Sequence, residues 1–85
     1  MGKSVKWRVA TQAGERTVRV QSAVHSGRIR LFVDEVLVWS REDGYALWDQ
    51  ELSHAFELDD LKCRLQVQSA RPRLFVEGRE REENR

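Results

Sequence analysis

Apolar and polar positions alternate along most of this chain. Val5, Trp7 and Val9 alternate with Lys6, Arg8 and Ala10, and Val18 and Val20 with Thr17, Arg19 and Gln21. Ile29, Leu31 and Val33 alternate with Arg28, Arg30 and Phe32. Leu61, Cys63, Leu65 and Val67 alternate with Lys62, Arg64, Gln66 and Gln68. A period of two places the apolar side chains on one face of a strand and the polar ones on the other. Val, Ile, Phe and Trp suit a pleated, half-buried surface. Turn chemistry separates the runs: Gln12-Ala13-Gly14-Glu15, His25-Ser26-Gly27, Asp34-Glu35, Glu42-Asp43-Gly44, Asp59-Asp60 and Glu77-Gly78.

Such spacing predicts an all-β, single-domain antiparallel β-sandwich or flattened barrel of about seven to eight strands. The domain is expected over residues 1–79. Residues 80–85, "EREENR", contain no apolar side chain and read as a charged, disordered tail. "YALWDQEL", residues 45–52, fits neither period cleanly and is expected to be extended or irregular. The alternation predicts a core of Val5, Trp7, Val9, Val18, Val20, Ile29, Leu31, Val33, Val38, Phe56, Leu58, Cys63, Leu65, Val67, Leu74 and Val76. It points Phe32, Phe75 and Trp39 to the opposite, outer side.

One phrase is written twice. "VQSA" at 20–23 and "RIRLFVDE" at 28–35 return as "VQSA" at 67–70 and "RPRLFVEG" at 71–78. Both read as strand–turn–strand units ending in an acidic residue at a hairpin. A sheet protein that uses one hairpin solution twice explains the repeat by packing alone.

Composition narrows the class. With 40% hydrophobic and 34% charged residues in 85, the chain is too apolar for disorder and has too little apolar run for a membrane helix of about 20 residues. The N-terminus enters alternating sequence directly, without the apolar core of a secretory signal. Cys63 is the one cysteine, which excludes an internal disulfide and fits a reducing, cytoplasmic setting. Charge is uneven although the net is +1: residues 1–33 carry seven cations against Glu15, and residues 34–60 carry nine acids against Arg41. The simplest expectation is that these strands pair across the sheet.

Catalytic and metal chemistry find no support. Ser53 and His54 are neighbours on a strand and so point to opposite faces. His54 shares its face with Phe56 and Leu58 and reads as a packed or rim histidine, and Cys63 as a core residue. Cys63, His25 and His54 lack paired zinc-ligand spacing, and no EF-hand or phosphate loop appears. No enzyme activity, cofactor or metal is expected. The outward aromatics ringed by arginines, Arg28, Arg30, Phe32, Trp39, Arg73 and Phe75, form the candidate interaction surface, because Trp and Arg often anchor protein interfaces. The expected partner is a protein. An edge strand pairing with a partner strand or with a second copy, as a homodimer, is another route. A single-stranded nucleic acid on the same residues is the alternative, weakened by a pI of only about 8.0. No membrane association is expected.

Trp7-x-Val9-Ala10, Gly14, Val18 and Val20, Ser26-Gly27-Arg28 and Phe32-Val33-Asp34 run in a spacing that resembles the Fas apoptotic inhibitory molecule family. Ser53 to Leu58 resembles that family's next strand, and Leu61 to Gly78 its following hairpin, with a shorter loop before Arg71. The likeness covers Trp7 to Gly78 and the first of the two β domains that family members carry. It implies an antiparallel sandwich, a soluble cytosolic protein without enzymatic activity, and a role in blocking death-receptor apoptosis and countering protein aggregation. It transfers no catalytic or binding residue.

Overall fold

A computed structural model describes residues 2–23, 27–42, 51–68 and 71–83. Eight strands follow in chain order: β1 (Gly2–Thr11), β2 (Gly14–Ala23), β3 (Arg28–Val33), β4 (Val36–Glu42), β5 (Glu51–Leu58), β6 (Leu61–Gln68), β7 (Arg71–Val76) and β8 (Arg79–Arg81). They form two four-stranded antiparallel sheets, each a simple meander: β1-β2-β3-β4 and β5-β6-β7-β8. The sandwich, rather than the flattened barrel, is the architecture. The domain runs two residues further than expected. Arg79–Arg81 is a strand, and the Trp7 indole N–H donates to the Arg81 carbonyl at 3.2 Å, joining β1 to β8.

The period-two reading accounts for the core. Val5, Trp7 and Val9 are buried on β1 while Lys6 and Arg8 are exposed, and Cys63, Leu65 and Val67 are buried on β6 while Lys62 and Arg64 are exposed. Ile29, Leu31, Leu58, Leu74 and Val76 complete the middle of the cluster. Val33 and Phe56 are only partly buried and pack against it. Leu52 is an unexpected member, 5% exposed; it opens into β5 from the end of the ambiguous stretch. Tyr45, Leu47 and Trp48, and the turns at His25-Ser26 and Asp43-Gly44, lie outside the described residues.

Val38 is the correction. It is 51% exposed, and Trp39 packs on the core instead. The pairing of β3 with β4 shifts between Leu31, which faces Trp39, and Phe32, which faces Leu37. Val38 is the extra residue of this β-bulge, and one extra residue reverses the facing of the strand beyond it.

The repeated phrase maps onto the two sheets. Ile29, Leu31 and Val33 of β3 correspond in register to Pro72, Leu74 and Val76 of β7. "VQSA" does not correspond in the same way. Leu31 faces Val20, whereas Leu74 faces Leu65, so the two copies of "VQSA" are displaced by two residues. The connection between β2 and β3, 24–27, is longer by the same amount than that between β6 and β7, 69–70. A slip of two keeps every side chain on its own face. Both hairpins turn with two residues at positive φ, Asp34 and Glu35 in one, Glu77 and Gly78 in the other, as a type I′ turn requires.

Candidate functional site

The outer face of the first sheet follows from the pairing. One row across it reads Lys6, Arg19, Phe32, Leu37; the next reads Ser4, Gln21, Arg30, Ser40; a third ends in Arg28 and Glu42. The Arg19 guanidinium lies 4.1 Å from the centroid of the Phe32 ring and pairs with Glu35 at 2.9 Å. Arg28 pairs with Glu42 at 3.2 Å. Arg30 and Lys6 make no ion pair or hydrogen bond among the described residues.

The outer face of the second sheet repeats the device. Arg64 and Arg73 lie 5.3 and 5.6 Å from the centroid of Phe75, and Arg73 pairs with Glu80. The hydrogen bond between them raises the Arg73 pKa and lowers that of Glu80. Trp39 belongs to neither outer face. Its ring stacks on His54, centroids 4.4 Å apart and planes at 13°, and His54 lies 6.3 Å from Phe56. That stack closes the β4–β5 side of the sandwich, and His54 is the packed rim residue expected of it.

The six candidate residues therefore do not form one surface. Arg28, Arg30 and Phe32 share the first outer face, Arg73 and Phe75 the opposite one, and Trp39 turns between the sheets. Residues outside the candidate set, Val38 among them expected in the core, stand beside the first group. Val36, Leu37 and Val38 are 63%, 50% and 51% exposed, and β4 is an edge strand with no neighbour on its far side among the described residues. Their signal is present in the sequence: Val36-Leu37-Val38-Trp39 is an apolar run that does not alternate, in a protein whose other strands do. Exposed contiguous apolar residues on an open strand edge mark an interaction site.

The charge asymmetry resolves by pairing. Arg16 bonds Asp34 at 2.8 Å and Asp59 at 3.2 Å, Arg19 meets Glu35, and Arg28 meets Glu42, so cations of the first third meet acids of the middle segment. The Thr17 backbone N–H, and then Arg16, hold the Asp34 carboxyl below its usual value. Arg16, and then the Thr11 hydroxyl, do the same for Asp59. The Arg16 guanidinium is correspondingly raised, chiefly by its bond to Asp59. This cluster is a structural stitch across one end of the sandwich.

Cys63 is buried and burial pushes its thiol up, so it is a core side chain and not a poised nucleophile. Among the described residues no three His, Cys, Asp or Glu side chains gather to hold a metal ion, and no helix is long and apolar enough to cross a membrane. An open groove of about 860 Å³ runs beside β1 and β7–β8, and Arg71, Arg73, Arg81, Glu80, Glu82 and Glu83 are among its lining residues. Its charges balance, and it presents no convergent donor set.

No family model matches the chain, and neither a curated protein nor a solved structure is significantly similar to it.

Proposed function

We propose that the chain is a non-enzymatic protein-interaction module that takes a partner strand at the open edge of β4. The observation that carries this reading is the exposure of Val36, Leu37 and Val38 on an edge with no neighbouring strand among the described residues. Strand addition supplies backbone hydrogen bonds for affinity and alternate side chains for specificity. Arg28, Arg30 and Phe32 then form the floor beside the edge. Arg73 and Phe75, on the other sheet, fall outside the contact. The resemblance to the Fas apoptotic inhibitory molecule family points to the same class, an interaction protein acting in the cytoplasm without a cofactor, and would put its partner among death-receptor or aggregation-prone proteins.

Single-stranded nucleic acid is the second reading, favoured by Lys6, Arg19 and Arg30 around Phe32. A base stacking on Phe32 would have to displace Arg19 from the ring. Amide chemical shifts of the labelled protein separate the two. Strand-forming peptides are expected to move the amides of Val36–Glu42. Shifts produced instead by mixed single-stranded DNA and RNA, and lost between low salt and about 0.2 M, would replace the protein-binding reading, because counterion release makes nucleic-acid affinity fall steeply with salt.

A further inference from the structure

The outer-face rows that end at β4 carry a charge pattern that the added strand would have to match. Resting on the strand-addition reading, we infer that the partner segment is extended and acidic, with a carboxylate opposite Ser40 and an apolar side chain opposite Leu37.

An added strand lies about 4.8 Å from β4 and about twice that from β3. In the row of Ser40, the small serine separates the new strand from Arg30. Arg30 is half-buried, has no ion-pair partner among the described residues and sits one strand behind the edge. An arginine side chain passing over a serine reaches a carboxylate directly opposite it, and the planar guanidinium suits that acceptor. In the next row, Leu37 at the edge backs onto Phe32, so a matching side chain there is apolar. The third row ends in Glu42, which already occupies Arg28 and repels a second carboxylate. The acid therefore belongs opposite Ser40 and not at the Glu42 end.

The same charges disfavour a second copy as occupant. Antiparallel pairing of β4 with another β4, about an axis normal to the sheet, keeps both outer faces on one side. Each face carries five cations, Lys6, Arg8, Arg19, Arg28 and Arg30, against the three carboxylates of Glu15, Glu35 and Glu42, which leaves two positive charges in excess. Two such faces side by side repel, whereas an acidic strand is drawn in.

The test titrates the labelled full chain with short synthetic β-forming peptides that differ at one outer-face position, Glu, Ser or Lys, and carry Val at the next position on that face. The Glu peptide is expected to shift the amides of β4 and to bind about tenfold tighter than the Lys peptide, a difference within reach of one charge-assisted pair. Arg30→Gln is expected to abolish most of that preference, and Arg73→Gln on the opposite sheet to leave it intact. Equal affinity for all three peptides at β4 would overturn the acidic partner while leaving strand addition in place. Shifts absent from β4 with every peptide would overturn both. Concentration-dependent β4 shifts without peptide, removed by Leu37→Lys, would make a second copy the occupant. Displacement of the Glu peptide by single-stranded DNA would make the face a nucleic-acid site.

Discussion

The β3–β4 and β7–β8 hairpins begin alike and end differently. In both, an inward leucine is fully buried, Leu31 or Leu74. In both, an outward phenylalanine lies under an arginine from the preceding strand, Arg19 or Arg64. In both, the acidic turn residue closes the same pair of bonds. Asp34 donates its N–H to the Thr17 carbonyl and accepts the Thr17 N–H, at 2.8 and 2.9 Å; Glu77 does so with Lys62, at 2.8 and 3.0 Å. Beyond the turn, β4 runs seven residues and exposes Val36, Leu37 and Val38, while β8 is Arg79-Glu80-Arg81.

One position accounts for much of that divergence. Ile29 pairs with Arg41, so β4 continues to Glu42. Pro72 holds the corresponding place in β7, and β8 has already ended with Arg81 opposite Leu74. Proline has no N–H to donate to a further ladder step. A short, charged edge beside a proline is a protected edge, and a long apolar one is open. The same hairpin solution thus ends in a short charged strand in one sheet and, in the other, in a long apolar strand with no neighbour on its far side among the described residues.

The comparison is broken most severely in the core. Leu31→Ala and Leu74→Ala are each expected to cost about 2–5 kcal/mol, since both side chains are wholly buried. Leu65→Ala, 1% exposed, belongs in the same range. Urea melts of the variants measure this. A Leu74 variant near the parent's stability beside a crippled Leu31 variant would show that the two sheets do not share the core equally.

A smaller effect distinguishes the turns by pH. Asp34 has Arg16 as a second partner, and Arg16 also holds Asp59. Both carboxyls are lowered in the folded state. Their contribution is therefore present above the unfolded carboxylate value of about 3.9 and is lost as pH falls through the lower folded values. Thermal melts are expected to be level through neutrality and to decline below about pH 4. Arg16→Gln should make that acid decline shallower, with the share from Glu80 remaining. If the Arg16→Gln curve were the parent's moved down by a constant at every pH, the stitch would carry no linkage.

Strands, turns and most of the core are legible because burial on one face imposes the period of two, and positive-φ turns favour the Asp and Gly that stand at Asp34, Asp59 and Gly78. The site is legible only in part. Alternation finds Arg28, Arg30 and Phe32, but it cannot say that Arg73 and Phe75 belong to another sheet; strand order decides that. Trp39 and Val38 exchange roles because a bulge inserts one residue without a mark of its own in the sequence. The exposed edge likewise depends on which strand comes last. The apolar run at 36–39 is its local sign, yet an apolar run at a strand position is equally the mark of a core strand.

The smallest contrast lies in the turns themselves. Gly78 sits at φ +81, and a methyl group in place of its hydrogen would meet nothing within 4 Å, so Gly78→Ala brings backbone strain and no clash. A left-handed residue with a Cβ costs about 1–2 kcal/mol, less about 0.4–1 kcal/mol recovered from a stiffer unfolded chain, leaving a loss of about 1 kcal/mol. Glu35 occupies the matching place at φ 66 and already bears that strain. Glu35→Gly removes it, but frees the unfolded chain and deletes the pair with Arg19, an exposed contact worth about 0–1 kcal/mol. The three terms nearly cancel, so Glu35→Gly is expected within about 0.5 kcal/mol of the parent. A clear gain in stability would mean that the Arg19–Glu35 pair contributes nothing. A loss as large as that of Gly78→Ala would mean that Glu35 holds Arg19 over Phe32, and that the cover on this outer face depends on the turn.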